Sequence, residues 1–182
     1  MLEVTKKHAR SADGTELYYE CWRSDGHTTA PTLLFVHGLG GDIDGWQYVR
    51  DIVGAHGIPA VAFDMRGHGY SDHPKKASAY AVERMVEDIQ TVMQAENLQR
   101  PTLVGHSGGA VVSAAFASKY SEPLSGLVLI AGSYCPPTYM QYPLLPTIAN
   151  GVIGIGGIIS PPPLKRWHSP YPPGKFHKEV EI

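Results

Sequence analysis

The segment that most constrains this 182-residue chain is Gly105-His106-Ser107-Gly108-Gly109. It lies between the apolar run Thr102 to Val104 and a stretch, Gly108 to Tyr120, rich in Gly, Ala and Ser nearly all round. The first reads as a buried strand and the second as a helix packed tightly on a sheet. Ser107 then stands on the turn between them. A side chain at either flanking glycine would meet neighbouring backbone, so the spacing suits a sharp bend. In a strand-turn-helix context, G-x-S-x-G lifts a serine hydroxyl into the open beside the positive end of a helix.

Similar apolar runs recur at Thr32 to Val36, Ile58 to Phe63 and Leu127 to Ile130. Each reads as a strand buried on both faces, the pattern of a parallel sheet. Helical patterns separate them. Val82, Met85, Val86, Ile89 and Met93 share one face at i, i+3, i+4 spacing, and Trp46, Val49 and Val53 suggest a shorter helix. Near the start, Glu3 to Arg10 and Thr15 to Trp22 flank Ser11-Ala12-Asp13-Gly14, a hairpin signal. The expected fold class is therefore α/β: a mostly parallel sheet preceded by an antiparallel hairpin.

Composition narrows the function. Hydrophobic residues make up 43% of the chain and charged residues 18%, with net charge −2. No basic block stands out, so no nucleic-acid partner is expected. Cys21 and Cys135 have neither metal-ligand nor redox spacing, and they form no disulfide framework, which fits a cytoplasmic location. Met1 to Arg10 has no apolar core, so no signal peptide is read there. The longest apolar stretch, Ile148 to Ile159, is too short and Gly-rich to span a bilayer, and no membrane attachment is expected.

Two further motifs follow strands. His37-Gly38-Leu39-Gly40-Gly41 comes directly after the Thr32 to Val36 run, where backbone N–H groups of Leu39 and Gly108 could together hold a developing oxyanion. Asp64-Met65-Arg66-Gly67-His68-Gly69-Tyr70-Ser71-Asp72 follows Ile58 to Phe63. Its glycines and small polar groups mark a structured loop, in which Asp64 and Arg66 fix the loop in preference to touching substrate.

These three motifs, in this order, resemble the α/β-hydrolase family, and within it the cap-bearing group of esterases, cofactor-free peroxidase-like enzymes and C–C-bond hydrolases. The resemblance covers residues 1–132. It implies Ser107 as the nucleophile, Leu39 and Gly108 as oxyanion-hole donors, and His37, Gly38 and His106 beside the substrate pocket. It implies a small-molecule acyl substrate and no metal or organic cofactor. Relatives that open epoxides or remove halogen place Asp at the elbow. Ser there points instead to acyl chemistry on an ester, thioester, amide, lactone or activated C–C bond.

The match weakens after Gly132. From Pro136 to Pro173 the chain is crowded with Pro and Gly, so residues 133–182 read as the start of a cap over a core formed by 1–132. In this cap the apolar Leu144 to Ile159 segment would line an acyl or aromatic pocket. The triad acid and histidine of the resemblance have no counterpart here, and the expectation is a carboxylesterase-like hydrolase that is C-terminally incomplete, lacking its last strands and helices. His168 and His177 lie in the Pro-rich tail with nothing to aim them at Ser107. The Leu127 to Ile130 strand would then be an open apolar edge through which the chain self-associates. The alternative is an inactive or truncated relative that binds a small apolar ligand or a partner chain.

Overall fold

The computed structural model describes residues 2–24, 29–120 and 123–132. Strands β1 (Leu2–Arg10) and β2 (Glu16–Ser24) form the expected hairpin, in register from Leu2 opposite Ser24 to Arg10 opposite Glu16. Its turn closes through the Gly14 N–H to Ser11 O and the Ser11 N–H to Thr15 O, both 2.8 Å.

Four parallel strands follow: β3 (Leu33–Val36), β4 (Ala60–Phe63), β5 (Thr102–His106) and β6 (Gly126–Ile130). The sheet order is β1-β2-β4-β3-β5-β6, with β2 antiparallel to β4. Helix α1 (Gln47–Ala55) lies between β3 and β4 in the chain, α2 (Val82–Ala95) between β4 and β5, and α3 (Gly108–Lys119) between β5 and β6.

Strand alternation splits the core between the two faces. Leu34, Val36, Val61, Phe63 and Leu103 pack with Val86, Ile89 and Val92 of α2 and with Val112 and Phe116 of α3. Phe35, Ala60, Ala62 and Val104 point the other way, with Trp22 of β2, Trp46 just before α1, and Val53 of α1. The chain leaves β3 toward β4 on one side, then passes back over β3 to β5 on the other. Helices α1 and α2 therefore cover opposite faces. The strand order reverses between β3 and β5, and the loops leaving their carboxyl ends diverge. Open α/β sheets bind ligands at such a crevice.

Of the two expectations for Leu127 to Ile130, burial on both faces is corrected, and a partly exposed edge strand is what the described residues show. β6 forms and pairs with β5, but Leu127, Val128, Leu129 and Ile130 are 39%, 44%, 38% and 42% exposed. Among the described residues β6 is the outermost strand of the sheet, so it lacks a neighbour on one side and its faces are only partly covered. The residues foreseen as a cap, 133–182, lie outside the described residues. So do Leu144 to Ile159, His168 and His177. Among the described residues no helix is long and apolar enough to cross a membrane.

Candidate active site

The site is built at the reversal point. β5 runs through Gly105 and His106 because its pairing with β6 continues to His106 opposite Ile130. Ser107 then turns with φ 50° and ψ −115°, a left-handed conformation that costs a non-glycine residue of order 1–3 kcal/mol. Its N–H donates to Ile130 O at 2.8 Å, and its carbonyl accepts from the Ala110 N–H at 3.0 Å. The elbow is thus fastened to β6 on one side and to α3 on the other. The side chain is exposed, and among the described residues nothing hydrogen-bonds the hydroxyl.

Two glycines let α3 and the loop after β3 come this close. A Cβ on Gly109 would fall onto the carbonyl oxygens of Val36 and His37. One on Gly108 would stand 2.5 Å from Leu39 Cγ and 3.2 Å from Leu39 N. The backbones of Leu39 and Gly108 are therefore neighbours beside Ser107. The Gly108 N–H opens α3 and has no partner within the helix. Gly38 is equally close, since a Cβ there would lie 3.0 Å from both Ser107 Cβ and His106 Nδ1. His106 is exposed, and its ring stands edge-on to Trp46 with centroids 6.2 Å apart.

His37 holds the loop from beneath. It is buried, its Nε2 accepts the Met65 N–H at 2.9 Å, and its Nδ1 lies 2.8 Å from Gly38 O. An Nε2 that accepts is unprotonated, so the proton of the neutral ring is on Nδ1 and is donated to Gly38 O. Burial lowers the ring to about 4, so it is neutral at pH 7. Gly38 O also accepts the Gly41 N–H at 3.0 Å. The carbonyl and N–H of a trans peptide lie in one plane and point in opposite directions within it. Fixing Gly38 O therefore aims the Leu39 N–H. With both ring nitrogens engaged, His37 supports the loop and presents no free polar atom to a pocket.

The loop after β4 braces this arrangement. Buried Asp64 accepts the Ile43 N–H at 2.9 Å and the Tyr70 N–H at 2.8 Å. Burial pushes its carboxyl up to about 7 despite these bonds. Arg66 is fully buried. It donates to Asp88 of α2, to Asp13 in the hairpin turn and to Ala79 O. Asp64 and Arg66 thus fix structure, their polar atoms engaged by Ile43, Tyr70, Asp88, Asp13 and Ala79. The sequence did not single out His68, whose Nε2 accepts the Gly40 N–H at 3.2 Å. The only available hint was its place in a loop that leaves the strand next to β3.

A family model described as alpha/beta hydrolase fold matches residues 31–152. The chain belongs to that family. It is 30% identical over 136 residues to "Protein ABHD8" of Homo sapiens, a match that takes in 68% of this chain and 31% of that protein. It is 28% identical over 121 residues to "Epoxide hydrolase 3" of Xenopus tropicalis, covering 66% of this chain and 32% of the relative. Among solved structures it resembles an esterase from Exiguobacterium antarcticum, with TM-score 0.65 and 24% identity over 71% of this chain and 46% of the esterase. The chain spans about a third of the length of these curated relatives.

Proposed function

We propose that this chain carries the nucleophile and oxyanion hole of a serine hydrolase acting on an ester or related acyl bond of a small molecule. The observation that carries the reading is Ser107 at the tip of a strained strand-to-helix turn, beside the backbone N–H groups of Leu39 and Gly108. In this mechanism Ser107 Oγ attacks the acyl carbon and its proton passes to a general base. The oxygen of the tetrahedral intermediate takes the two N–H bonds, the alcohol leaves, and water releases the acid from the acyl-enzyme. A relative named as an epoxide hydrolase does not move the reading to epoxides, because this chain has a hydroxyl, not a carboxylate, at the elbow.

No base for Ser107 is identified among the described residues. His37 and His68 each have both ring nitrogens engaged, and no described histidine bonds the Ser107 hydroxyl. That same observation favours a second reading, in which the chain binds an apolar ligand or partner without turnover. Hydrolysis of p-nitrophenyl esters of increasing acyl length separates the two. The first reading expects product release that Ser107→Ala abolishes. Equal and negligible release from parent and variant would leave only the second.

A further inference from the structure

We propose that His68 is a positioning residue for the oxyanion donor at Leu39, an inference that rests on the hydrolase reading above. Leu39 sits between two peptide planes. The first, Gly38–Leu39, is set by the bonds from His37 Nδ1 and the Gly41 N–H to Gly38 O. The second, Leu39–Gly40, is set by the Gly40 N–H donating to His68 Nε2. Gly40 has φ +77° and its neighbour Gly41 is also a glycine, so local backbone preference does little to hold this end of the loop.

His68 is itself held. Its accepting Nε2 puts the proton on Nδ1, which lies 3.0 Å from Arg66 O and donates to it. Its ring stands edge-on to His37, with centroids 5.0 Å apart. Arg66 is locked by Asp88, Asp13 and Ala79 O. A rigid path therefore runs from α2 through the loop after β4 to the peptide following Leu39. An oxyanion donor works by being aimed before the charge appears, and loss of a whole donor costs about 10²–10³ in rate. The Leu39 N–H lies in the first plane, and the second restrains it through the shared Leu39 Cα; freeing the second is expected to cost part of that, at least about 10-fold.

The test compares parent, His68→Phe and His68→Gln. Glutamine can place a carbonyl oxygen where Nε2 accepts, and phenylalanine keeps the ring without the acceptor. The readouts are the rate at which a p-nitrophenyl alkylphosphonate modifies Ser107, the melting temperature, and amide hydrogen exchange at Leu39 and Gly40. His68→Phe is expected to slow modification at least about 10-fold and to speed Gly40 exchange at an unchanged melting temperature, with His68→Gln close to parent. Unchanged exchange at Gly40 in His68→Phe overturns the inference, as does an unchanged modification rate. A parent that never reacts removes the hydrolase reading, and the Leu39 and Gly40 exchange then decides by itself whether His68 holds this loop.

Discussion

Arg66 and Asp88 meet out of water through two parallel hydrogen bonds, Nε to Oδ2 at 2.6 Å and Nη2 to Oδ1 at 2.7 Å, with side chains 0% and 1% exposed. The pair joins the loop after β4 to α2. Asp13 adds a contact of 2.7 Å from the hairpin turn but is 23% exposed. Removing one partner of a buried pair strands the other charge, at a cost of about 3–5 kcal/mol. Asp88→Asn is therefore expected to lower unfolding stability by about 3 kcal/mol, and Asp13→Asn by clearly less. Urea denaturation of the two variants checks the order, and equal losses would contradict it.

Ser107 is strained for the sake of its position. Glycine adopts φ 50° freely but costs roughly 0.5–1 kcal/mol in backbone entropy, against relief of about 1–3 kcal/mol of strain. Ser107→Gly is expected to stabilise the fold by about 1 kcal/mol while removing the hydroxyl proposed as nucleophile. A rise in melting temperature together with loss of ester hydrolysis is the predicted result.

Gly109 carries the opposite expectation. Alanine favours a helix, but its Cβ here would enter the carbonyl oxygens of Val36 and His37. Overpacking of this kind costs about 1–3 kcal/mol and would push α3 off β3. Gly109→Ala should therefore destabilise despite the better helix former. A stabilised variant would show that α3 sits less tightly than described.

His37 and Asp64 pull stability in opposite directions with pH. Burial depresses His37 from 6.5 to about 4, so the unfolded chain holds the extra proton between those values. The His37 contribution is full above about pH 6.5 and is lost as pH falls toward 4. Burial raises Asp64 from 3.8 to about 7, so the folded chain holds the extra proton. Its contribution is full below pH 3.8 and is lost as pH rises through 7. Relative to the parent, Asp64→Asn should gain about 3 kcal/mol of stability between pH 4 and 7. Urea titrations across that range measure it, and a constant difference would contradict the raised carboxyl.

The strands and the elbow were legible in the sequence because each is written locally. Apolar runs mark β3 to β6, Asp13-Gly14 marks the hairpin turn, and G-x-S-x-G marks the bend at Ser107. What was hidden depends on neighbours distant in the chain. β5 reaches His106 because β6 pairs with it, not because Gly105 and His106 favour a strand. The Asp13, Arg66 and Asp88 cluster joins residues as far as 75 positions apart, and the bond from Gly40 to His68 exists because β3 and β4 are adjacent.

The proposed hydrolase chemistry rests on Ser107 as the nucleophile. The most direct test is peptide mapping by mass spectrometry after treating the protein with a p-nitrophenyl alkylphosphonate. One phosphonyl adduct is expected, on Ser107 and absent from Ser107→Ala. A folded protein that carries no adduct on Ser107, or that is modified equally in the variant, would contradict it.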